Sequence, residues 1–339
     1  MAAPAPDPVR PFRPGRDLPC RPRLGGLVRR AARRVMFFLK RLLFLVPLLF
    51  GISLLAFWLM RVAPGGPFDS QRAPASPEIQ RAIEAKYHLN EPWLQQYGRW
   101  VGDLARGDFG PSLKYRNHTV NDIIAQALPV SLTLGGLAFC LALGLGIPWG
   151  VAMAVHRGRW ADHALGLLAL VGVCLPGFVL GPLLVLTLSV RLGWFPVALW
   201  ESPLHLVLPT VTLALLFAGK VARLVRESMT TTLQSEYITA ARARGVGETA
   251  ILLRHALRPA LLPVVSFAAP MLADLLTGSF VVESLFQVPG LGGFFVNSSL
   301  NRDYPLLMGL VLLYAALLLL LNLAADILIA LLDRRVRYE

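Results

Sequence analysis

The amino-acid sequence predicts an all-α integral membrane protein with six transmembrane helices. Of its 339 residues, 55% are hydrophobic and only 16% are charged, and the mean hydropathy is +0.58. These values lie outside the range of ordinary soluble domains. Six runs with few or no charges each approach the length that a helix rising about 1.5 Å per residue needs to cross ~30 Å of hydrocarbon. They are residues 42–60, 128–155, 164–190, 204–219, 259–282 and 306–325.

The positions of the basic residues predict the orientation of these spans. The formal net charge is +13, which taken alone would also suit a nucleic-acid-binding protein. If the spans alternate in direction, however, 23 of the 33 lysines and arginines lie on one side, in segments 1–41, 156–163, 220–258 and 333–339. Because cytoplasmic segments carry the excess of basic residues, both termini are expected in the cytoplasm and no nucleic acid is expected as a partner.

Composition divides the chain into a tail and a membrane domain. Residues 1–34 are rich in proline and arginine, cannot bury a core and are predicted to be disordered. Residues 35–339 form the predicted transmembrane domain, with an external segment at 61–126 and a cytoplasmic loop at 227–258. The first apolar run is longer than the core of a signal peptide and no small-residue cleavage pattern follows it, so it is expected to remain attached.

The external segment is predicted to contain short helices rather than a linker. Trp93, Tyr97, Trp100 and Leu104 share one face of a helix at their spacing. Tyr87, Trp93 and Trp100 are expected to help form a folded external surface to which another protein binds.

No pattern of catalytic or metal-binding residues is present in the sequence. Cys20, Cys140 and Cys174 are not spaced as metal ligands, and the six histidines form no cluster. Gly219-Lys220 lacks the spacing and the hydroxyl residue of a phosphate-binding loop. We therefore expect no catalytic residue, no metal and no cofactor, and any ATP hydrolysis must take place on a separate subunit.

The loop between the fourth and fifth spans contains two predicted short helices. They cover roughly residues 232–243 and 248–257, with Gly245-Val246-Gly247 as the break between them. A DNA-binding helix-turn-helix is an alternative, but both ends are attached to membrane spans and leave the element little freedom to enter a groove. Arg223 and Arg226 fit two interpretations equally well, as parts of this loop or as topology residues near lipid head groups.

This loop carries a family resemblance. Residues 236–245 read Glu-Tyr-Ile-Thr-Ala-Ala-Arg-Ala-Arg-Gly, which resembles the EAA loop of binding-protein-dependent permeases, the membrane subunits of ABC importers. Thr239 departs from the motif, because in the family an acid precedes the two alanines. The resemblance implies a helix that docks on the ATPase. The coupling residues that it implies are Glu236, Ala240, Ala241, Arg242, Arg244, Gly245 and Arg254.

Further matches resemble the oligopeptide branch of the dipeptide/oligopeptide family, closest to its B-type subunit. They lie at residues 59–65, 84–90, 107–112 and 301–304. The resemblance implies the type I ABC importer permease fold in a bacterial inner membrane. It also implies a heterodimer with a homologous second permease subunit, two ATP-binding subunits, an external substrate-binding protein and contact with membrane lipid. The implied substrate is an oligopeptide, with dipeptides, glutathione, cell-wall peptides or nickel as alternatives within the family.

Three residues are candidates for the translocation path or its gate. Asp274 lies inside the fifth apolar run, where a charge costs roughly 2.5 to 3.5 kcal/mol, so it is expected to face a water-filled pathway or to hydrogen-bond to a neighbouring span. Pro289 and Gly290 lie in a segment that closes the external mouth in the family, although an ordinary glycine-rich turn would have the same composition. Glu283 is expected to reach the membrane interface and is assigned no special role.

Two other classes of protein rank below the permease. An ion-driven secondary transporter would show inverted repeats and several midplane charges. An intramembrane enzyme would show a recognisable constellation of His, Ser or Asp residues in the spans. Neither signature is recognised in the sequence.

Overall fold

The structure is a computed structural model that describes residues 43–60, 62, 91–115, 117–277 and 279–332. Within these ranges every regular element is a helix, as the predicted fold class requires. The predicted tail at 1–34, the basic C-terminal residues and Tyr87 lie outside the described residues.

The helices are numbered in chain order. Their bounds are α1 Leu43–Met60, α2 Trp93–Leu104, α3 Val120–Val155, α4 Trp160–Cys174, α5 Gly177–Leu184, α6 Val207–Leu233, α7 Glu236–Ala243, α8 Glu248–Ala250, α9 Leu257–Ala260, α10 Leu262–Thr277, α11 Phe280–Leu285, α12 Leu291–Leu300 and α13 Tyr304–Leu332. Helical turns of other types are Val185–Arg191, Pro203–Leu206 and Ile251–Ala256.

Five helical segments of the described chain are long and apolar enough to span a membrane, and a bent pair makes a sixth if it counts as one span. The pair is Trp160–Cys174 and Gly177–Arg191, whose axes differ by 110°. The predicted third span is therefore not one straight helix. Leu175 adopts φ −78° and ψ 120° because the following Pro176 disfavours the helical conformation at the residue before it.

Two spans are longer than their apolar runs. Thr119 caps α3, accepting from the N–H of Asp122 while the carboxylate of Asp122 accepts from the N–H of Thr119, so the helix begins before the predicted start at residue 128. α6 continues past the predicted end at Gly219 as far as Leu233. For that reason α7 begins at Glu236 instead of near residue 232.

The extension of α6 is explained by what its polar residues contact. Arg226 donates from Nε and Nη2 to the two carboxylate oxygens of Asp162, both at 2.7 Å, and Asp162 is buried at 2% exposure. On the inner face of the same helix Val221, Val225 and Met229 are fully buried. Arg226 is thus paired with a buried carboxylate, while 36% of its own side chain remains exposed.

Two glycines, Gly146 and Gly150, allow α3 to pack closely along α6. A Cβ at Gly146 would lie 2.8 Å from the carbonyl oxygen of Ala218, and one at Gly150 would collide with that of Ala222. A Cβ at Gly135 would instead meet the side chain of Leu276 in α10. Gly136 and Gly144 face open space, so close packing does not explain them.

The aromatic helix α2 forms where its spacing predicts, but it packs on this chain. Tyr97 is buried, its hydroxyl is 2.8 Å from the hydroxyl of Ser53 in α1, and its ring contacts Phe57 edge-on at 5.3 Å. Trp100 packs against the same cluster, whereas Trp93 is 47% exposed. Of the two described residues expected at an external docking surface, Trp93 is the more available to a partner.

Candidate functional site

A compact helix pair, residues 236–260, connects α6 to α10. α7 ends because Gly245 adopts φ 77°, a left-handed conformation that costs glycine little. The N–H of Gly245 donates to the carbonyl of Arg242 at 2.9 Å, and the N–H of Val246 to that of Ala241 at 3.2 Å. These are the two hydrogen bonds of a Schellman stop. The predicted break at residues 245–247 is confirmed.

An ion pair spans this break. Nε of Arg242 donates to Oε1 of Glu248 at 2.8 Å and Nη2 donates to Oε2 at 3.3 Å. The hydrogen bond from Arg242 holds the pKa of Glu248 below its ordinary value. Both side chains are exposed, so the pair restricts the angle between the helices more than it adds stability.

The helix pair is attached to the bundle through its apolar side. Ile238, Ile251 and Ala256 are fully buried against Met229 of α6 and Ala154 at the end of α3. Among the predicted coupling residues, Ala241 belongs to this inner side at 1% exposure. The others are exposed on the outer side, namely Glu236, Ala240, Arg242, Arg244, Gly245 and Arg254.

Two large apolar side chains also lie on the exposed side, and sequence reasoning missed them. Tyr237 is 49% exposed and Leu253 is 59% exposed. The sequence could have indicated them, because each is an apolar residue on the otherwise polar side of a short amphipathic helix. Together with the arginines they form a mixed apolar and basic surface.

Glu283 lies at the opposite end of the bundle. Its burial there contradicts the prediction that it reaches the membrane interface and has no special role. Its exposure is 0%. The hydroxyl of Ser279 donates to its Oε1 at 2.6 Å, and the N–H of Gly292 donates to its Oε2 at 2.7 Å. The interpretation was wrong because the chain turns back after α11. Residues 287–293, which are the turn before α12 and the first residues of that helix and are called the 287–293 loop below, fold over the carboxylate.

The predicted gate residue Gly290 is packed against this carboxylate. A Cβ there would collide with Oε2 of Glu283 and would lie 2.6 Å from Oγ of Ser131. Ser131 Oγ accepts from the N–H of Leu291 at 2.9 Å, which ties the loop to α3. Pro289 is exposed. Gly290 is therefore needed because there is no room for a side chain at this position. Its φ of −98° would suit any residue.

Asp274 lies apart from both clusters. It is exposed on α10 between buried neighbours, so it faces away from this chain's own core. Among the described residues no hydrogen bond or ion pair involves it. A carboxylate at this depth of a membrane span requires water or a partner protein beside it.

Two segments that resemble the peptide branch meet at the same end as the 287–293 loop. The carboxylate of Asp303, 1% exposed, accepts from the hydroxyl of Ser112 and from the N–H groups of Leu113 and Lys114. The external segment is thereby fixed to the start of α13. Leu291 and Leu306 share a buried cluster beside it.

No group of three or more metal-binding side chains occurs in the described part of the chain. Cys140 and Cys174 are free and exposed. The geometry is that of a helical bundle with a rigid exposed pair at one end and a tightly packed loop at the other.

Comparison with known proteins identifies the family. Residues 146–338 match the model for the inner membrane component of binding-protein-dependent transport systems. The chain is 44% identical over 304 residues to the oligopeptide transport system permease protein OppB of Haemophilus influenzae, covering 89% of this chain and 99% of that protein. OppB of Escherichia coli K12 matches equally well in identity and coverage. The dipeptide transport system permease protein DppB of Bacillus subtilis is 39% identical, with 89% and 97% covered.

A solved structure shares the fold. The inward-facing methionine ABC transporter MetNI aligns with a TM-score of 0.53 and 20% identity, covering 62% of this chain and 97% of that one. In this family the permease works with a partner permease, ATPases and a substrate-binding protein, and ATP hydrolysis belongs to the separate ATPase subunits. An ion-driven mechanism finds no support. The chain therefore belongs to the binding-protein-dependent permease family of ABC importers and is a multi-pass, non-enzymatic subunit of the inner membrane.

Proposed function

We propose that this chain is one of two channel-forming subunits of an ATP-driven oligopeptide importer. It pairs with a homologous second subunit, binds two ATPase subunits and receives peptide from an external binding protein. The observation that supports oligopeptides as the substrate is the 44% identity to an oligopeptide permease along 99% of that protein's length. Dipeptide import is the second candidate, favoured by the 39% identity to DppB.

The exposed side of residues 236–260 is the proposed contact with the ATPase. Its support is geometric, because the pair combines a rigid glycine stop, an ion pair across the break and a mixed apolar and basic surface. The exposed coupling residues, with Tyr237 and Leu253, contact the ATPase, while Ala241 anchors the pair to α6. ATPase closure then moves α6 and α3 as a unit, as in other rigid-body transitions.

The 287–293 loop is the proposed external gate. Pro289 presents its outer surface, Gly290 permits the close packing, and Glu283 holds the loop from beneath. Asp274 is the proposed wall of the pathway. α3 connects the gate, at Ser131, with the coupling pair, at Ala154, which at a rise of about 1.5 Å per residue is a distance of about 35 Å.

The substrate proposal predicts ATP-dependent uptake of peptides longer than two residues. In a host lacking its own peptide importers, the complete transporter should accumulate a labelled tetrapeptide, and excess unlabelled tetrapeptide should compete while free amino acids should not. A variant ATPase unable to hydrolyse ATP is the control. Uptake of dipeptides with no tetrapeptide uptake would support the second candidate, and no peptide uptake would contradict both.

The topology proposal places both termini, and the coupling pair, in the cytoplasm. A fluorescent protein that matures only in the cytoplasm should be active when fused after Glu339, and alkaline phosphatase fused there should be inactive, because 23 of 33 basic residues lie on that side. The control is a fusion of each reporter after Gly193, between the bent third segment and α6, where the activities should be reversed. An active phosphatase after Glu339 would reject the proposed orientation.

A further inference from the structure

An open cavity of about 360 Å³ lies between α4, α6 and the end of α3, and none of its lining residues belongs to the coupling pair or to the 287–293 loop. One wall is apolar, formed by Met153, Leu167 and Leu170. The other wall carries the charged side chains Asp162, Arg223 and Arg226, with His163 beside them. A volume of this size suits a small ligand group.

The charges of this cavity leave an excess of positive charge. Both carboxylate oxygens of Asp162 are engaged by Arg226, and Oδ2 also accepts from the N–H of Gly158. Arg223 is exposed, and no acidic side chain among the described residues pairs with it. One guanidinium is therefore available in a cavity whose only carboxylate is already neutralised, and this favours an anionic ligand.

The position of the cavity indicates whether the anion is a lipid head group or a soluble molecule. It lies beside the turn at residues 156–159, where α3 ends and α4 begins, and Trp160 at this turn is 82% exposed. Exposed tryptophans are typical of the membrane–water boundary. The apolar wall continues onto the outer face of α4, where Leu167 is 62% and Leu168 is 58% exposed.

We propose that this cavity binds an anionic phospholipid. The headgroup phosphate lies at Arg223, and an acyl chain lies along Leu167 and Leu170. A free phosphate would leave the apolar wall of the cavity in contact with water. A zwitterionic lipid would place the cationic group of its head group beside the guanidinium of Arg223. Basic pockets between transmembrane helices recognise anionic head groups through this combination of charge and apolar contact.

The test measures retained phosphatidylglycerol on the whole transporter complex, which requires no transported substrate and so is independent of the proposed peptide specificity. The complex is reconstituted in phosphatidylcholine containing phosphatidylglycerol, extracted, and its bound lipid is quantified by mass spectrometry. Arg223→Gln should retain about fivefold less phosphatidylglycerol, from the contribution typical of one arginine near anionic lipid. Arg157→Gln, at an exposed arginine of the neighbouring turn that does not line the cavity, should retain the wild-type amount.

A second variant tests the cavity without changing its charge. A Cβ at Gly166 meets no atom within 4 Å, so Gly166→Leu should fill the space without a clash and also lower the retained phosphatidylglycerol. Equal retention in wild type and both cavity variants would overturn the proposal. Displacement of the lipid by inorganic phosphate or soluble glycerophosphoglycerol at equal concentration would show a free-phosphate site instead. Loss of ATPase subunits from Arg223→Gln in pure phosphatidylcholine would show that the arginine contacts a protein partner, which also overturns it.

Discussion

Replacing Gly245 with valine should reduce peptide uptake by about tenfold or more while the protein remains in the membrane. Gly245 has φ 77°, and a β-branched residue in this conformation costs about 1 to 3 kcal/mol. No atom lies within 4 Å of an added Cβ, so the cost comes from the backbone and not from a clash. Because the Schellman stop sets the angle between α7 and the following turns, docking to the ATPase should fail while insertion does not.

The measurements are uptake, membrane abundance and ATPase retained on the purified complex. Gly247 provides the matched control, because it lies two residues away with φ −61° and ψ 145° and also meets no atom within 4 Å. Gly247→Val should behave as wild type. Gly245→Asn should be intermediate, since asparagine tolerates the left-handed region better than valine. Equal uptake by Gly245→Val and wild type would mean that the glycine is only a spacer.

Replacing Glu283 with alanine should abolish most uptake while leaving the ATPase subunits attached. The change removes the acceptor for the hydroxyl of Ser279 and for the N–H of Gly292. Each buried donor left unpaired costs about 1 to 3 kcal/mol. The 287–293 loop should therefore lose its packed position, at the end of the bundle opposite the ATPase contact. This result differs from that of Gly245→Val, in which the ATPase is lost.

Purification of the Glu283→Ala complex should recover ATPase at the wild-type ratio, with uptake in proteoliposomes as the second measurement. Ser284→Ala is the control, because Ser284 is the next residue of α11 and is exposed. An independent pair tests the same packing: a Cβ at Gly292 would lie 2.7 Å from Cβ of Phe280 and 2.8 Å from Oε2 of Glu283, whereas one at Gly293 meets no atom within 4 Å. Gly292→Ala should lower uptake and Gly293→Ala should not. Normal uptake by Glu283→Ala would exclude Glu283 from the gate.

The two sets of variants together address how the ends of the subunit communicate. The coupling pair packs on Ala154 and Met229, and the gate loop is tied to Ser131, so α3 is attached to both. Gly146 and Gly150 allow α3 to lie directly against α6. A tightly packed pair of this kind transmits a displacement with little deformation.

Much of the architecture follows from local sequence alone. Apolar runs predict where the chain enters the membrane, because a helix in lipid must satisfy its own backbone and be apolar on its outer face. The stop at Gly245 is likewise local, since it needs only a glycine and the two hydrogen bonds that close the preceding turn. The motif at residues 236–245 consists of consecutive residues. It therefore indicates the family without any knowledge of what those residues pack against.

The burial and pairing of charged residues near and within the spans could not be predicted from neighbouring residues in the sequence. Hydropathy ends the fourth span at Gly219, but α6 continues because Asp162, 64 positions earlier in the chain, neutralises Arg226. Glu283 looks like an interfacial residue by position, and only the return of the 287–293 loop buries it.

The sequence by itself therefore determined the fold class, the approximate spans, the helix break at Gly245 and the family. The tertiary structure decided which polar residues are buried, where α6 ends and which side of residues 236–260 is exposed. The physical reason is that apolar burial and backbone stops depend on neighbours along the chain. The free energy of a charge depends instead on the partner that folding brings to it.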